Sequence, residues 1–307
     1  MCKSILVTGG YGFLGRATAS RFKEYGCRVV GIGHGRWDAH EFRYHGFDEW
    51  LDATVSMSSL ASLNQKFDVI VHCAGNGSVG YSLTNPLQDF KKTVEGTAEL
   101  LEYVRLNNHS ARVVYPSSAG VYGTKPDAPI LETATLNPIS PYGYHKKIAE
   151  DLCESYSRTF GLNVSIIRFF SIYGPGLTKQ LLWDASNKLF SAKDEVVFWG
   201  TGEETRDWIF IDDATELIFR ATQLKEPFKV INGASGIRVT VQNALEILRE
   251  ELVTHAKISF NEIVKEGDPR FYHADISKTR ELDWAPKITL SEGVGRYVDW
   301  FKGLHHD

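Results

Sequence analysis

Short apolar, β-branched segments alternate with longer segments of helical periodicity through the first half of the chain. The strand candidates are residues 4–7, 28–32, 69–72, 112–115 and 163–169, and the helix candidates between them are 13–25, 86–107 and 141–160. Pro86 and Pro141 stand in the first turn of their helices, a position that proline favours. This alternation predicts a doubly wound parallel sheet with helices on both faces, the Rossmann type of α/β fold.

The periodicity becomes less regular after about residue 174. Residues 181–190 and 212–222 have helical periodicity, whereas 195–199 and 206–210 read as strands. The sequence contains no internal repeat or flexible linker between the two halves. We therefore predict a first domain over residues 1–170 and a smaller C-terminal α+β lobe over 171–307, interleaved with the end of the first domain.

Composition excludes several classes of protein. The 307 residues are 43% hydrophobic and 23% charged, which excludes disorder as the main state. A net charge of -4 without a Lys/Arg-rich run predicts no binding to nucleic acid or to an anionic membrane surface. The sequence has neither an apolar run of membrane-spanning length nor a signal-peptide pattern, so we expect a cytoplasmic protein with a small-molecule partner. Its cysteines and histidines lack the spacing of a zinc site, so no metal is expected.

A glycine-rich turn directly follows the first predicted strand. Gly9, Gly12 and Gly15 surround the start of the first helix at Phe13 and Leu14. Glycines at this spacing allow a tight turn, a close approach of the backbone to a pyrophosphate and close helix packing. The helix N-terminus also offers unpaired N–H groups to an anion. We therefore predict that the first domain binds a dinucleotide.

The end of the second predicted strand bears on the choice of dinucleotide. An acidic residue usually binds the ribose hydroxyls of NAD at this point. This chain has Gly33, His34, Gly35 and Arg36 instead. Two potentially cationic side chains can accept a 2′-phosphate, so the sequence favours NADP(H) over NAD(H) as cofactor.

Three polar side chains are candidates for catalysis. Tyr142 and Lys146 are one helical turn apart, so their side chains share a face and the ammonium can stabilise a phenolate. A tyrosine needs such help to exchange protons near neutral pH. Ser118 follows a predicted strand, at the edge where ligands bind in open α/β sheets, and can hydrogen-bond a substrate oxygen beside the tyrosine.

Six segments occur in the order of a known family. They are TGGYGFLG at 8–15, SSAGVYG at 117–123, YGYHK at 142–146, RFFSIYGPG at 168–176, GTGEETRDWIFIDD at 200–213 and EGDPRFYHADISKTRELDW at 266–284. Together they resemble the extended short-chain dehydrogenase/reductase family, in its branch of NAD(P)-dependent epimerases and reductases of nucleotide-linked sugars. The resemblance covers nearly the whole chain. It implies a lobe that binds a nucleotide-diphosphate sugar, and a homodimer packed through the helices at 86–107 and 141–160.

The resemblance also implies roles for individual residues. Tyr142 would transfer the proton, Lys146 would lower the pKa of the tyrosine and bind the nicotinamide ribose, and Ser118 would align the reacting sugar oxygen. The complete set of expected cofactor contacts is Gly9, Gly12, Phe13, Leu14, Gly15, His34, Arg36, Asp52, Ala53, Cys73, Ala74, Gly75, Thr93, Tyr142, Lys146 and Phe169. The expected substrate contacts are Ser78, Val79, Ser118, Ser171, Lys179, Trp199, Arg206 and Asp268.

Two reactions fit these residues, and the missing ribose acid favours the first. In a C4 reductase, NADPH reduces a nucleotide 4-keto-(6-deoxy)hexose and Tyr142 protonates the oxygen. In a C4 epimerase, the alternative, a retained NAD takes a hydride and returns it to the other face of the sugar. A non-catalytic nucleotide-binding protein is a minor alternative. Family members that eliminate water place an Asp-Glu pair after the catalytic Ser/Thr, whereas this chain has Ala119 and Gly120, which argues against dehydration. The expected context is polysaccharide biosynthesis.

Overall fold

The computed structural model describes residues 3–35, 37–38, 40–192, 194–263 and 270–305. The strands in these ranges are Ser4–Thr8 (β1), Arg28–Gly33 (β2), Glu49–Asp52 (β3), Val69–His72 (β4), Arg112–Ser118 (β5), Asn163–Phe169 (β6), Ser171–Tyr173 (β7), Glu195–Phe198 (β8), Thr205–Phe210 (β9), Phe228–Gly233 (β10), Arg238–Thr240 (β11) and Lys257–Phe260 (β12). The helices are Phe13–Glu24 (α1), Glu41–Tyr44 (α2), Met57–Ser62 (α3), Val79–Thr84 (α4), Pro86–Phe90 (α5), Gly96–Asn107 (α6), Pro141–Phe160 (α7), Gln180–Ser191 (α8), Ile211–Ala221 (α9), Val241–Leu252 (α10), Ser277–Arg280 (α11) and Leu290–Gly303 (α12).

The main sheet has seven strands in the order β10-β6-β5-β4-β1-β2-β3, and every pair in it is parallel. This arrangement confirms the predicted Rossmann-type fold. Its central strands are buried on both faces, which explains their continuous apolar sequences. The edge strand β3 was not predicted, because its four residues are partly exposed and mostly polar or aromatic. The other edge strand, β10, comes from beyond residue 171 and pairs with β6.

The predicted helix over 86–107 is interrupted. A π-helical turn, Lys91–Glu95, separates α5 from α6. Such turns rarely occur and are often found at functional sites. Strand β5 also runs three residues beyond its predicted end, through Pro116 to Ser118, since it stays paired with β6 up to Phe169. The extension carries Ser118 to the carboxyl edge of the sheet.

Apolar clusters fill both faces of the main sheet. One cluster lies under α1 and α9, and another lies under α6 and α7. The rest of the second half forms a separate core from α8, α10 and α12, beside the three-stranded sheet β11-β9-β7 and the pair β12-β8. None of the described helices combines the length and the apolar character that crossing a membrane requires.

Candidate active site

The glycine turn is packed tightly between β1 and α1. Gly9 has a φ of +65°, and a Cβ atom there would lie 2.6 Å from the backbone nitrogen of Ala74. A Cβ atom on Gly15 would lie 2.4 Å from the carbonyl oxygen of Gly9. The N-cap residue of α1, Gly12, offers no capping side chain, and the first turn contains no acidic residue. This N-terminus therefore keeps its backbone N–H groups and positive dipole available for an anion such as a pyrophosphate.

The ends of β2 and β3 come together beside this turn. The backbone N–H of Ala53 donates to the carbonyl of Gly33 at 3.1 Å. The imidazole Nε2 of His34 lies 3.1 Å from the hydroxyl of Thr54. Asp52, at the end of β3, is exposed at this edge. The structure thus brings together the residues that were expected at the adenosine end of the cofactor, except Arg36, which lies outside the described residues.

The loop from Cys73 to Gly75 passes close to the glycine turn. The backbone N–H of Ala74 donates to the hydroxyl of Thr8 at 3.2 Å, which ties the loop to the end of β1. The hydroxyl of Thr93 lies 3.3 Å from the position of a Cβ atom on Gly75. Because Thr93 belongs to the π-helical turn, the interruption of the helix directs this residue toward the loop.

The three catalytic candidates meet at the carboxyl edge of the sheet. Ser118 ends β5, and its hydroxyl lies beside the ring of Tyr142, which is only partly buried: both are 3.4 Å from the position of a Cβ atom on Gly120. The backbone N–H of Gly120 donates to the Ser118 hydroxyl at 3.1 Å. Ser82 in α4 fixes the start of α7, since its hydroxyl accepts from the backbone N–H of Tyr142 at 3.0 Å. A substrate oxygen placed here can therefore bond both hydroxyls.

Lys146 is buried one turn further along α7. Its ammonium donates to the carbonyl of Pro116 at 3.1 Å and lies 4.8 Å from the ring centre of Tyr115. Removal from water lowers the pKa of Lys146 to about 8. Burial raises the pKa of Tyr142, and the Ser118 hydroxyl only partly opposes the rise. The lowering of the tyrosine pKa by Lys146 stays a prediction.

A buried ion pair supports the helix that carries these residues. The guanidinium of Arg168 binds the carboxylate of Glu150 through Nε, at 3.1 Å from each oxygen, and through Nη2, at 2.7 Å. The hydroxyl of Ser117 donates to the same carboxylate at 2.5 Å. The two adjacent serines thus divide their functions, with Ser118 at the cleft and Ser117 in the buried network. Sequence reasoning missed this network, because a lone Glu in a helix gives no signal of its partner.

The two residues after Ser118 are packed closely against their neighbours. Ala119 is buried, and its carbonyl accepts a 2.5 Å hydrogen bond from the hydroxyl of Tyr272. A Cβ atom on Gly120 would lie 3.4 Å from ring carbons of Tyr142. Tyr272 was not singled out from the sequence. Its contact connects the C-terminal lobe to the catalytic loop and agrees with the absence of the dehydratase acid pair.

The expected substrate contacts lie on both sides of the cleft. Ser78 caps α4 by accepting from the N–H of Tyr81 at 3.2 Å, and Val79 follows it. Across the cleft, the ammonium of Lys179 is 3.3 Å from the position of a Cβ atom on Gly77. The other expected contacts in the lobe are Ser171 in β7, Trp199 after β8 and Arg206 in β9, whereas Asp268 lies outside the described residues.

One residue that was expected to contact the cofactor, Phe169, lies in the core of the main sheet. Phe169 is 3% exposed and belongs to the apolar cluster under α1 and α9, where it packs against Gly233. The next residue, Phe170, is half-buried and contacts the rings of Tyr122 and Tyr272. The sequence presents two consecutive phenylalanines at the end of a strand, and only the pairing with β10 decides which one faces the core.

Known proteins resemble the chain over nearly its whole length. The model of a family described as the NAD dependent epimerase/dehydratase family matches residues 5–233. A putative UDP-glucose 4-epimerase of Methanocaldococcus jannaschii is 28% identical, over 97% of this chain and 98% of its own. CDP-paratose 2-epimerase of Salmonella typhi is 30% identical, over 98% and 99%. The structure of UDP-glucuronic acid 4-epimerase from Bacillus cereus, in complex with UDP-glucuronic acid and NAD, has a TM-score of 0.86 at 27% identity, over 98% and 99%.

Proposed function

Because the chain belongs to the NAD dependent epimerase/dehydratase family, and so is an enzyme of the extended short-chain dehydrogenase/reductase type, we propose that it is a nucleotide-sugar 4-epimerase. The observation that carries this proposal is the Ser118–Tyr142–Lys146 arrangement beside a dinucleotide turn, in a chain whose full-length relatives include 4-epimerases. The reductase favoured by the sequence has less support, since these relatives are described as epimerases. The missing ribose acid alone is therefore a weaker indication of the reaction than the similarity to epimerases.

The cofactor that fits the glycine turn is a nicotinamide dinucleotide, and we propose NAD. The uncapped N-terminus of α1 would hold its pyrophosphate, and the ends of β2 and β3 would hold its adenosine. When bound, the cofactor supplies a reversible hydride acceptor. The preference for NADP(H) has no support from the relatives, because the Bacillus cereus structure contains NAD. His34, one of its two expected cations, is adjacent to the Thr54 hydroxyl.

The chain's own groups would move the proton of the reacting hydroxyl. Tyr142 would accept the proton of the 4-hydroxyl as a phenolate and return it after the keto sugar has rotated, and the positive charge of Lys146 would have to stabilise that phenolate against the effect of burial. Ser118 aligns the same oxygen by hydrogen bonding. Lys146 supplies the positive charge on that side of the cleft, and burial lowers its pKa to about 8, within reach of the physiological range. Its amine can therefore exchange a proton as well as hold a ribose hydroxyl.

The substrate is proposed to be a nucleoside-diphosphate sugar whose nucleotide lies in the C-terminal lobe. Lys179, Arg206 and Trp199 supply two cations and an aromatic surface, the groups that a diphosphate and a base require. A homodimer through α5, α6 and α7 remains part of the proposal. Large apolar side chains are exposed on these helices and on the adjacent α4, namely Leu83, Leu87, Leu106, Tyr144, Ile148 and Phe160.

The test is conversion of sugars without net redox change. Purified protein would be incubated, without added cofactor and again with catalytic NAD, with UDP-glucose, UDP-glucuronate, UDP-N-acetylglucosamine and CDP-paratose. We expect an equilibrium mixture of C4 epimers from at least one UDP-sugar. Conversion of CDP-paratose alone would indicate that the enzyme epimerises C2 and not C4. Oxidation of stoichiometric NADPH by a nucleotide 4-keto sugar, with no epimer formed, would contradict the proposal.

A further inference from the structure

A second cavity lies on the outer side of α1. Its volume is about 360 Å³, within the range of small-molecule sites. One wall consists of Phe13, Arg16, Ala17 and Ser20, which share a helical face because they are spaced by three or four residues. None of the three catalytic candidates lines it. Phe13 is the only residue of the cavity lining that is also an expected cofactor contact.

The opposite wall is largely apolar. Pro175, Phe210 and Ile211 form it, and an ion pair between Arg296 and Asp212 closes one end, with 3.4 Å between Nη1 and the carboxylate. Arg296 also pairs with Glu292 at 2.7 Å. This arginine is thus neutralised by its own neighbours. Arg296 is therefore not available to pair with an anionic ligand. Another residue of the lining must supply the positive charge.

Arg16 supplies that charge. Its guanidinium lies 5.5 Å from the ring centre of Tyr11 and 6.0 Å from that of Trp37. Within the described ranges it has no carboxylate partner, although the side chain is partly buried. Aromatic faces hold a guanidinium in place but leave its N–H donors for a planar or tetrahedral anion.

The imidazole next to Arg16 is kept uncharged. His45 lines the cavity, and the hydroxyl of Ser20 donates to its carbonyl at 3.2 Å. Burial lowers the pKa of His45, and the positive charge of Arg16 lowers it further. At neutral pH the imidazole is therefore a neutral hydrogen-bonding group. Of the two arginines that line the cavity, Arg296 is paired with carboxylates, whereas Arg16 has no such partner within the described ranges.

We propose that this cavity binds a small organic anion, whose phosphate or carboxylate pairs with Arg16 and whose apolar body lies between Phe13 and Ile211. Size, apolar walls and one uncompensated guanidinium are the three properties such a ligand needs. The cavity lining contains none of the expected sugar contacts and only Phe13 among the expected cofactor contacts, and the proposal goes beyond the proposed epimerase function. Its ligand is a compact aryl or alkyl phosphate or carboxylate, because a volume of about 360 Å³ is small for a nucleotide sugar.

The test uses phenyl phosphate as a probe, with isothermal titration calorimetry on protein already saturated with NAD and UDP. Those two ligands fill the other phosphate-binding positions. We expect saturable 1:1 binding of phenyl phosphate, with weaker binding of inorganic phosphate and of phenol, which each supply only half of the interaction. Loss of all phenyl phosphate binding upon saturation with NAD and UDP would overturn the proposal, since the probe would then have occupied their sites.

Two variants and a control locate the probe. Arg16→Met keeps the length of the side chain and removes its charge, so the Kd for phenyl phosphate should rise by about tenfold or more. Ala17→Phe fills the cavity and leaves Arg16 intact, and it should weaken binding to a similar extent. The control is Arg43→Met, an exposed arginine stacked on Phe42 outside the cavity, which should leave the Kd unchanged. An unchanged Kd in Ala17→Phe would refute the site even where Arg16→Met failed to fold.

Discussion

Replacing Arg168 by methionine tests whether the buried ion pair supports the catalytic helix. The side chains of Arg168 and Glu150 are only 7% and 5% exposed. In Arg168→Met the Glu150 carboxylate keeps one donor, the Ser117 hydroxyl, and remains buried without a counter-ion. The hydroxyl of Tyr122 and the carbonyl of Glu132 also lose the donor that Arg168 gives them.

The expected loss of unfolding free energy is about 3–5 kcal/mol, the cost of removing one partner from a buried pair. Adding Glu150→Gln removes the isolated charge and keeps an acceptor for Ser117. The double variant should therefore recover about 2 kcal/mol of that loss, because the two sites are directly coupled. The matched control is Arg105→Met, which breaks a pair with Glu102 whose side chains are both 32% exposed. That change should cost far less stability than Arg168→Met, because both side chains of the control pair are solvated.

The assay is urea unfolding followed by circular dichroism, with the slope compared between variants so that midpoints report stability. The reasoning would be refuted by an Arg168→Met variant no less stable than Arg105→Met. It would also be refuted by a double variant that loses the sum of the two single losses, since uncoupled residues behave in that way.

Three further predictions concern catalysis, pH and assembly. Tyr142→Phe should lower kcat by about a hundredfold or more while the variant still binds NAD. Tyr144→Phe, at an exposed position, should keep full activity, and equal kcat values for the two variants would contradict the proposed role of Tyr142. Burial raises the pKa of Asp207 to about 6, above its unfolded value, so the protonated carboxyl should contribute less to stability as the pH rises from about 4 to about 6. In urea unfolding, the free energy of unfolding that Asp207→Asn loses relative to wild type should therefore shrink by about 2–3 kcal/mol over that range. A loss that stays constant with pH would refute this prediction. Leu87→Asp should convert a dimer into monomers by light scattering, with Leu131→Asp, exposed elsewhere, as control; a monomeric wild type would reject the dimer.

The part of the fold that follows from the sequence is the part encoded locally. The buried strands β1, β2, β4 and β6 and the helices α1 and α7 have continuous apolar runs or clear periodicity, and their predicted bounds agree with the structure to within about a turn. β3 and β10 were missed, because edge strands with partly exposed residues lack that pattern. Their place depends on pairing with a neighbour distant in the chain.

The same distinction applies to the candidate site. Gly9, Tyr142 and Lys146 could be recognised from short spacings, because a turn and one helical turn fix their relative positions. The contacts that join distant segments could not be recognised from the sequence. The hydroxyl of Tyr272 meets the carbonyl of Ala119 across 153 positions of sequence, and no local pattern reports such a contact. The pKa of Tyr142 is also decided by burial, which the spacing to Lys146 does not reveal.

Hydride removal from C4 and its return to the other face of the sugar is the central claim, and deuterium at C4 tests it most directly. The protein would be incubated with a UDP-sugar carrying deuterium at C4, and the epimeric product examined by NMR. Our account predicts that the product keeps its deuterium at C4, with no net change in the absorbance of the nicotinamide band. Exchange of the deuterium with solvent, or consumption of NADPH in proportion to the product, would contradict it.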